Sequence, residues 1–318
     1  MTCISPTSVV FSHDYNGNET VARFEFQEDP MSDSKRVVVT GVTGKQGGAI
    51  ARALLSRGHR VRGVTRNVDS AAAKSLIDLG AEMVVGDFTD PQSLEAAAVG
   101  GDTIFAMTTP FEGGIEAETA QGITLVDAAV AAGVGHYIFT SVASADKDTG
   151  IPHFDSKYEV EKHLAKTSLS WTVIAPVYFM ENLFLAQVLD GLRKGTYAAP
   201  LPADLPLQQV AVDDIGMFGA HIVENSDAFA GHRLDIAGDE LTSERSAEIL
   251  GKVLDKPVAH IEVPMDQIRA FSEDFAIMYE WFISTGYTVD IEGLRSKYPD
   301  VGWHRFDEWA SKAVPAAM

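Results

Sequence analysis

The sequence has a single cysteine, few basic residues and no long apolar run. Cys3 stands alone among 318 residues, which excludes an internal disulfide and a cysteine-based metal cluster. The 25 Lys and Arg residues are outnumbered by 45 Asp and Glu residues, a formal net charge of −20. This balance argues against nucleic acid or an anionic membrane as a partner. No segment approaches the roughly 20 consecutive apolar residues of a membrane helix. We therefore expect a cytoplasmic protein without a nucleic-acid or membrane partner.

Metal binding is not expected either, because the nine histidines are scattered, with no pair at metal-ligand spacing. Hydrophobic residues make up 46% of the chain, enough for a full core. The first 30 residues carry several acidic residues and lack the basic start and apolar segment of a targeting signal. Met31 follows them, and clear fold patterns begin at Lys35. We expect residues 1–34 to form an N-terminal extension outside the core.

From Lys35 onward, short β-branched runs alternate with helical patterns. Six strands are predicted, separated by helices, at 37–40, 61–65, 83–85, 103–107, 137–141 and 171–175. A helix at 156–166 precedes the last of them. This alternation implies right-handed crossovers and a doubly wound, parallel α/β sheet of the Rossmann type.

After about residue 179 the chain is richer in aromatic residues and prolines. Helices are predicted at 183–194, 214–223, 243–254, 265–285 and 303–313, with short strands at 208–212, 233–236 and 259–263. We assign residues 35–178 to a Rossmann domain, with 208–238 returning to it. Residues 179–207 and 239–318 are expected to form a smaller C-terminal α+β lobe that binds a substrate.

A glycine-rich segment lies between the first predicted strand and the first predicted helix. Glycine is needed where the chain turns sharply and where backbone approaches a pyrophosphate, and the helix N-terminus adds unpaired N–H groups. The segment therefore predicts a dinucleotide-binding loop. Its candidate contacts are Gly41, Thr43, Gly44, Lys45, Gln46 and Gly47. The Gly-x-x-Gly-x-x-Gly spacing resembles the short-chain dehydrogenase superfamily, in its extended and atypical branches.

The second predicted strand ends in Arg66-Asn67, with no acid at its tip. An NAD site generally places an acid there for the ribose hydroxyls, whereas a guanidinium can bind the 2′-phosphate of NADP. Lys45 would add a second cation near the same phosphate. We therefore predict NADP(H) in preference to NAD(H).

Further cofactor contacts follow the third and fourth predicted strands. In the superfamily that the loop resembles, an Asp with an apolar neighbour binds the adenine at this position, which implies that role for Asp87 and Phe88. The path to the nicotinamide ribose is expected to be lined by Thr108, Thr109 and Pro110.

Two registers compete for the catalytic residues. Short-chain dehydrogenases use a Ser together with Tyr-x-x-x-Lys, in which the Tyr transfers a proton and the Lys holds the ribose. Tyr158 and Lys162 match that spacing directly. In the wider frame, Ser156-Lys157 followed by Glu161 makes Lys157 the ribose lysine and places His153 where the tyrosine is expected.

The second register matches more residues and is preferred, with Tyr158 and Lys162 as the alternative dyad. His153 then carries an imidazole able to supply a proton near neutral pH. A histidine at this place is also typical of a surface position before a helix. Ser141, which ends the fifth predicted strand, occupies the position of the superfamily's serine.

These motifs together resemble the NmrA-like family of atypical short-chain dehydrogenases. The resemblance spans about residues 35–265, rests also on 65–67, 86–88 and 212–215, and is most distinctive in the segment Pro-Val-Tyr-Phe-Met-Glu-Asn at 176–182. It implies an NADP-binding Rossmann domain with a small C-terminal lobe. It also implies that Pro176 and Tyr178 contact the nicotinamide, and that Phe179 and Asn182 lie at the substrate mouth.

The family includes NADPH-responsive regulators as well as reductases of quinones, triphenylmethane dyes and phenylpropanoid-like compounds. We therefore expect an NADPH-dependent reductase of a small, flat, electron-poor substrate. The alternative is a non-catalytic NADP(H) sensor that regulates a protein partner. Later aromatic residues are predicted either to close a substrate pocket or to pack in the core: Tyr279, Trp281 and Phe282.

Overall fold

The computed structural model describes residues 34–318, and a seven-stranded parallel sheet lies at its centre. The strands of the described residues are β1 (Arg36–Val39), β2 (Arg60–Thr65), β3 (Glu82–Val85), β4 (Thr103–Met107), β5 (His136–Thr140), β6 (Ser170–Pro176), β7 (Tyr178–Phe179), β8 (Thr196–Ala199), β9 (Pro206–Val210), β10 (His232–Ile236), β11 (Asp239–Thr242) and β12 (Ala259–Glu262). The central sheet has the order β10-β6-β5-β4-β1-β2-β3. The predicted doubly wound Rossmann fold is confirmed.

Helices connect these strands and cover both faces of the sheet. They are α1 (Lys45–Ser56), α2 (Ala71–Asp78), α3 (Pro91–Ala98), α4 (Pro110–Gly113), α5 (Ile115–Ala131), α6 (Pro152–Leu164), α7 (Ala186–Arg193), α8 (Val212–Glu224), α9 (Ser226–Phe229), α10 (Ser243–Val253), α11 (Met265–Phe271), α12 (Glu273–Ser284), α13 (Ile291–Lys297) and α14 (Phe306–Ala317). No helix in the described part of the chain has both the length and the apolarity to cross a membrane.

The two faces of the sheet have separate apolar cores. On one face α1 packs on α8, so closely that a Cβ on Gly216 would lie 2.8 Å from the carbonyl carbon of Ala49. On the other face α5 and α6 bury side chains such as Val126 and Val160 against the sheet. This division follows from the strands, whose successive side chains point to opposite faces.

The C-terminal region has its own core and two small sheets. Strand β9 lies between β11 and β7, and β12 pairs with β8. A third apolar cluster joins the segment after β7 to α7, α10 and α14, through residues that include Met180, Leu192, Leu250 and Trp309. These elements have the α+β composition expected of the C-terminal region, and its division into 179–207 and 239–318 stays a prediction.

The structure corrects three expectations about the elements. The central sheet has a seventh strand, because β10 pairs in parallel with β6 at its edge. Helix α6 begins at Pro152, before the predicted start at Ser156, since proline suits the first turn of a helix. The single helix expected at 265–285 is two helices. Ser272 between them is extended, and its hydroxyl accepts a hydrogen bond from the Phe275 N–H, which caps α12. The extension expected at residues 1–34 lies, apart from Ser34, outside the described residues.

Candidate functional site

The candidate site lies at the carboxyl edge of the central sheet, where β1 and β4 are neighbours. Crossovers from β1 lead to one side of the sheet and those from β4 to the other, so a crevice opens between the loops that follow these two strands. In open α/β sheets ligands bind at this topological switch point. The glycine loop follows β1, and the segment from Thr108 to Pro110 follows β4.

The glycine loop has a backbone that larger residues could not adopt. Gly41 has a φ of +58°, and a Cβ on Gly47 would lie 2.2 Å from the Gly41 carbonyl oxygen. Gly44 is the N-cap of α1 and offers no side-chain cap, so the first N–H groups of the helix stay open to a ligand. Gln46 Oε1 is buried without a hydrogen-bond partner among the described residues. The close-packed glycine backbone and the open N–H groups of α1 fit the diphosphate of a dinucleotide.

The two cations predicted near the 2′-phosphate contact different groups. Arg66 is exposed and forms a two-point ion pair with Glu112 of α4, at 2.9 and 3.0 Å. Lys45 Nζ donates instead to the backbone carbonyl of Glu181, at 3.0 Å. Arg66 therefore stands at the tip of β2 as predicted, whereas Lys45 points to the segment that follows β7.

The remaining predicted cofactor residues lie on the same edge of the sheet. Asp87 Oδ1 accepts hydrogen bonds from the backbone N–H and the hydroxyl of Thr89, and these bonds lower the pKa of its carboxyl. Phe88 packs, half-buried, against the core. Thr109 caps α4 through its hydroxyl, with Pro110 as the first residue of that helix. The structure thus gives each of these residues a local role beside the crevice.

Lys157 is held at the crevice by a buried carboxylate that the sequence analysis missed. Its Nζ forms an ion pair with Glu118, which is 0% exposed, and donates to the Thr108 carbonyl oxygen at 3.3 Å. The hydroxyls of Thr108 and Ser156 also donate to the Glu118 carboxylate. Glu118 lies on the α5 face that buries Gly122, and a carboxylate within such an apolar face is the signal that could have identified it.

His153 is a buried residue in the first turn of α6 and not a surface histidine before a helix. Its Nδ1 lies 2.8 and 2.7 Å from the two carboxylate oxygens of Asp274, and its backbone N–H donates to Oδ1 of the same residue at 3.2 Å. Phe154 and Phe275 pack edge-on against the imidazole. His153 and Lys157 are one helical turn apart on the buried side of α6. Nothing in the sequence pattern pointed to Asp274.

Ser141 faces a second buried cluster. Its hydroxyl donates to Glu161, whose other oxygen accepts from Nε of Arg233 at 2.9 Å. Burial raises the pKa of the Glu161 carboxyl, although Arg233 and the Ser141 hydroxyl act in the opposite direction. The structure therefore connects Ser141, through Glu161, to Arg233 of strand β10, and not to Lys157.

The alternative dyad combines an exposed lysine with a tyrosine that is half-buried against the core. Lys162 forms an ion pair with Glu159 and lies over the Tyr158 ring, 5.1 Å from its centroid. Its side chain is 42% exposed, and the hydrogen bond to Glu159 raises its pKa. The contacts of Lys162 are those of a surface residue, and they favour the register of His153 and Lys157.

The segment after β6 carries the predicted nicotinamide and substrate residues. Pro176 ends β6, and its carbonyl accepts from the Ala143 N–H at 3.0 Å. Tyr178 accepts hydrogen bonds from Tyr279 and Asn182, while burial raises its pKa. Phe179, beside Tyr178, is half-buried against the core. The structure thus brings two of the predicted residues, Tyr178 and Asn182, into direct contact.

Aromatic residues from the later helices surround this region. Tyr279 and Phe282 contact Tyr178, and Trp281 packs edge-on against Phe154 beside His153. Phe275 also contacts two phenylalanines that are largely exposed, Phe111 at 74% and Phe271 at 78%. These last two residues escaped the sequence analysis, because isolated apolar residues in loops and short helices carry no periodic signal.

A doubly wound sheet with a glycine loop at its switch point defines a dinucleotide-binding Rossmann protein. The model of the NmrA-like family matches residues 33–310, so this chain belongs to the NmrA-like family. The match extends past the 35–265 that the motifs indicated, and it includes both the crevice and most of the C-terminal lobe.

Curated relatives cover most of the chain. An NmrA-like family domain-containing protein of Dictyostelium discoideum is 29% identical over 269 residues, which are 80% of this chain and 89% of that protein. The NAD(P)H azoreductase of Xenophilus azovorans is 24% identical over 238 residues, 73% of this chain and 79% of the enzyme.

Solved structures share the fold. NmrA, a negative transcriptional regulator solved with NADP, has a TM-score of 0.75 at 20% identity and covers 90% of this chain and 97% of its own. The same regulator has also been solved with NAD. The triphenylmethane reductase of Citrobacter sp., solved with NADP(H), has a TM-score of 0.74 at 22% identity. The match covers 89% of this chain and 100% of the reductase. At these identities the likeness establishes the shared fold.

Proposed function

We propose that this chain is an NADPH-dependent reductase of a small, flat, electron-poor substrate such as a quinone, an enone or a related aromatic compound. One observation carries the proposal. Lys157 and His153 lie one turn apart on the buried side of α6, and Lys157 reaches the loop after β4 beside the switch point. An amine that would hold a ribose and an imidazole that would donate a proton therefore share one side of α6.

The residues around the crevice fit a bound NADP(H). The N-terminus of α1 would hold the diphosphate, Arg66 the 2′-phosphate, and Asp87 with Phe88 the adenine. Lys157 would hold the nicotinamide ribose, fixed in place by Glu118. NADPH supplies a hydride when bound. We infer a preference for NADP(H) from Arg66, since no acid occupies the tip of β2.

The aromatic surroundings of the site support a flat substrate. Phe179 and Asn182 would line its mouth, and Trp281 and Phe275 lie near His153. Aromatic side chains bind planar rings by offset or edge-on packing. The azoreductase and the triphenylmethane reductase, whose names denote dyes with extended aromatic systems, are similar to this chain in sequence and in fold respectively.

The proposal is tested first by binding and then by turnover. Purified protein is titrated with NADPH and with NADH by fluorescence, and NADPH consumption is then followed at 340 nm with quinones, enones and dyes, using Lys157→Ala as the control. We expect tight NADPH binding, weaker NADH binding and reduction of at least one compound. Equal affinities would overturn the cofactor preference, and tight binding without any turnover would overturn the reductase.

The redox sensor is the second candidate, and the fold shared with a negative transcriptional regulator favours it. In that case NADP(H) would alter a surface and with it the binding of a regulatory protein partner. The sensor would bind NADPH, reduce none of the compounds and release or capture that partner when NADPH is added. A pull-down with and without NADPH, run beside the turnover assay, separates the two functions.

A further inference from the structure

The contact between His153 and Asp274 joins two parts of the chain that are 121 residues apart. The carboxylate of Asp274 accepts from both the backbone N–H and Nδ1 of His153, so the ring cannot rotate without losing one of these bonds. Nε2 forms no hydrogen bond within residues 34–318, and this atom is not fully buried. The imidazole is therefore held at one nitrogen and open at the other.

The position of Asp274 depends on the break between α11 and α12. Ser272 is extended and caps α12, which places Asp274 in the first turn of that helix. A carboxylate is favoured there by the helix dipole. The side chain is 21% exposed and that of His153 is 11% exposed, so the pair is mostly shielded from water. In such surroundings a hydrogen bond between a carboxylate and an imidazole is stronger than on the surface.

We propose that Asp274 is the positioning residue that holds His153 in the tautomer and orientation from which Nε2 gives the substrate its proton. This inference rests on the proposed reductase function and adds to it a residue of the C-terminal lobe. With Nδ1–H donated to Asp274, the neutral ring presents a bare Nε2, which takes up a proton from water and then acts as the donor.

The step balances as follows for a carbonyl substrate. The carbonyl carbon takes a hydride, with its two electrons, from NADPH, and the π bond opens toward oxygen. That oxygen takes the proton from Nε2 of the protonated His153, so new C–H and O–H bonds form while NADPH becomes NADP⁺. The ring returns to its neutral form with Nδ1–H still donated to Asp274. For an azo or enone substrate, the proton goes to the nitrogen or oxygen that receives the charge.

Within residues 34–318, no other charged side chain forms a hydrogen bond or an ion pair with the His153 ring. Asp155, on the same helix, interacts with it electrostatically. Lys157 is paired with Glu118. Glu273, next to Asp274 in sequence, is paired with Arg269. Asp274 is therefore the carboxylate that contacts the ring, and Glu273 offers a matched control on the same helix turn.

The test compares Asp274→Asn, Asp274→Glu and the control Glu273→Gln in the full chain. The asparagine side chain has one acceptor oxygen and one amino group, whereas the aspartate carboxylate has two acceptor oxygens. If its oxygen keeps the backbone N–H, its amino group faces Nδ1 and imposes the Nε2–H tautomer. Nitrogen-15 NMR of histidine-labelled protein reports that tautomer directly, with the His153 signal identified by its loss in His153→Gln. Turnover and NADPH affinity are measured on the same samples.

We expect Asp274→Asn to lower kcat by about tenfold or more, with the NADPH dissociation constant within about twofold of wild type. Its His153 signal should change from the Nδ1–H to the Nε2–H tautomer. Asp274→Glu should recover part of kcat, and Glu273→Gln should match wild type. If Asp274→Asn does not fold, the wild-type spectrum alone still decides the tautomer.

An Nε2–H tautomer in wild type, or an Asp274→Asn variant with unchanged kcat, would overturn the positioning role while leaving the reductase intact. Wild-type protein that binds NADPH and reduces no compound would overturn the reductase and the proton donation with it. The NMR comparison then shows separately whether Asp274 fixes the ring.

Discussion

Helix α6 carries two pairs of side chains with the same four-residue spacing, and they have opposite surroundings. His153 and Lys157 face inward, where each meets a carboxylate from another helix. Lys162 faces outward, pairs with Glu159 and lies over the ring of Tyr158, which is itself half-buried against the core. The helical spacing is identical, so the difference arises from how α6 packs on α5 and α12. A sequence motif fixes which residues share a face, and tertiary packing decides which face meets the crevice.

The largest effect is expected on the inner pair. Lys157→Ala removes the cation beside the fully buried Glu118, so we expect a loss of stability of about 3 kcal/mol. Turnover should fall by about a hundredfold, because the ribose loses its anchor. Denaturant unfolding and NADPH consumption measure the two effects. The double variant Glu118→Gln, Lys157→Met should unfold at higher denaturant than Lys157→Ala alone. Equal unfolding midpoints would show that the pair is not coupled.

Arg66 and Glu112 sharpen the comparison, because they form an exposed ion pair with a proposed ligand role. Arg66→Ala should raise the NADPH dissociation constant about tenfold, since charge-assisted hydrogen bonds to a phosphate contribute roughly 1.5–3 kcal/mol. The NADH constant should not change. Glu112→Gln should tighten NADPH binding about twofold, because Arg66 loses a competing partner of modest strength. Isothermal titration measures each constant, with Arg245→Ala as a distant control. An equal change for both nucleotides would contradict the role of Arg66.

Glu181 is a partly buried carboxylate that forms no ion pair within residues 34–318, in contrast to Glu118. Its oxygens accept from the Val212 N–H and from Trp309 Nε1, and burial raises its pKa to about 7. A raised pKa means that its contribution to stability is full below about pH 4.5 and is lost as the pH rises through about 7. We expect the melting temperature of wild type to fall by a few degrees between pH 5 and pH 8.

Glu181→Gln should flatten this dependence, although it loses one hydrogen bond and so melts lower at pH 5. Scanning calorimetry at several pH values measures the slope, and Glu95→Gln, an exposed carboxylate on α3, should keep the slope of wild type. An unchanged slope in Glu181→Gln would assign the pH dependence to another group.

The smallest effect is expected on the outer pair. Lys162→Ala should change stability by less than about 0.5 kcal/mol, as is usual for exposed ion pairs. Tyr158→Phe should change it as little, because the ring keeps its packing and only the hydroxyl is lost. Turnover should stay within about twofold of wild type. A loss of turnover in Tyr158→Phe that matched the loss in His153→Gln would contradict the preference for His153 and Lys157 over Tyr158 and Lys162 as the catalytic pair.

The sequence predicts the Rossmann part well, because local patterns determine it. Short β-branched runs, the glycine loop and the cap at Asp90, whose carboxylate accepts from the Gln92 and Ser93 N–H groups, are all local signals. The break at Ser272 also had a local signal, since a serine followed by Glu273 and Asp274 is typical of a helix start. The contact of His153 with Asp274 had none. It depends on how the C-terminal lobe docks, which no spacing along the chain encodes.

Strand β10 joins the sheet only after the chain has left it at Pro176 and returned at His232. On the ribosome, six strands can therefore pair before the seventh has been made, and β6 is an open edge while residues 177–231 are synthesised. During that interval Glu161 also lacks Arg233, its buried counterion. Open edges and unpaired charges make a nascent chain prone to aggregation. Arrival of β10 removes both hazards in one step, so the nucleotide domain completes its own folding only through a segment translated after the first stretch of the lobe, residues 179–207.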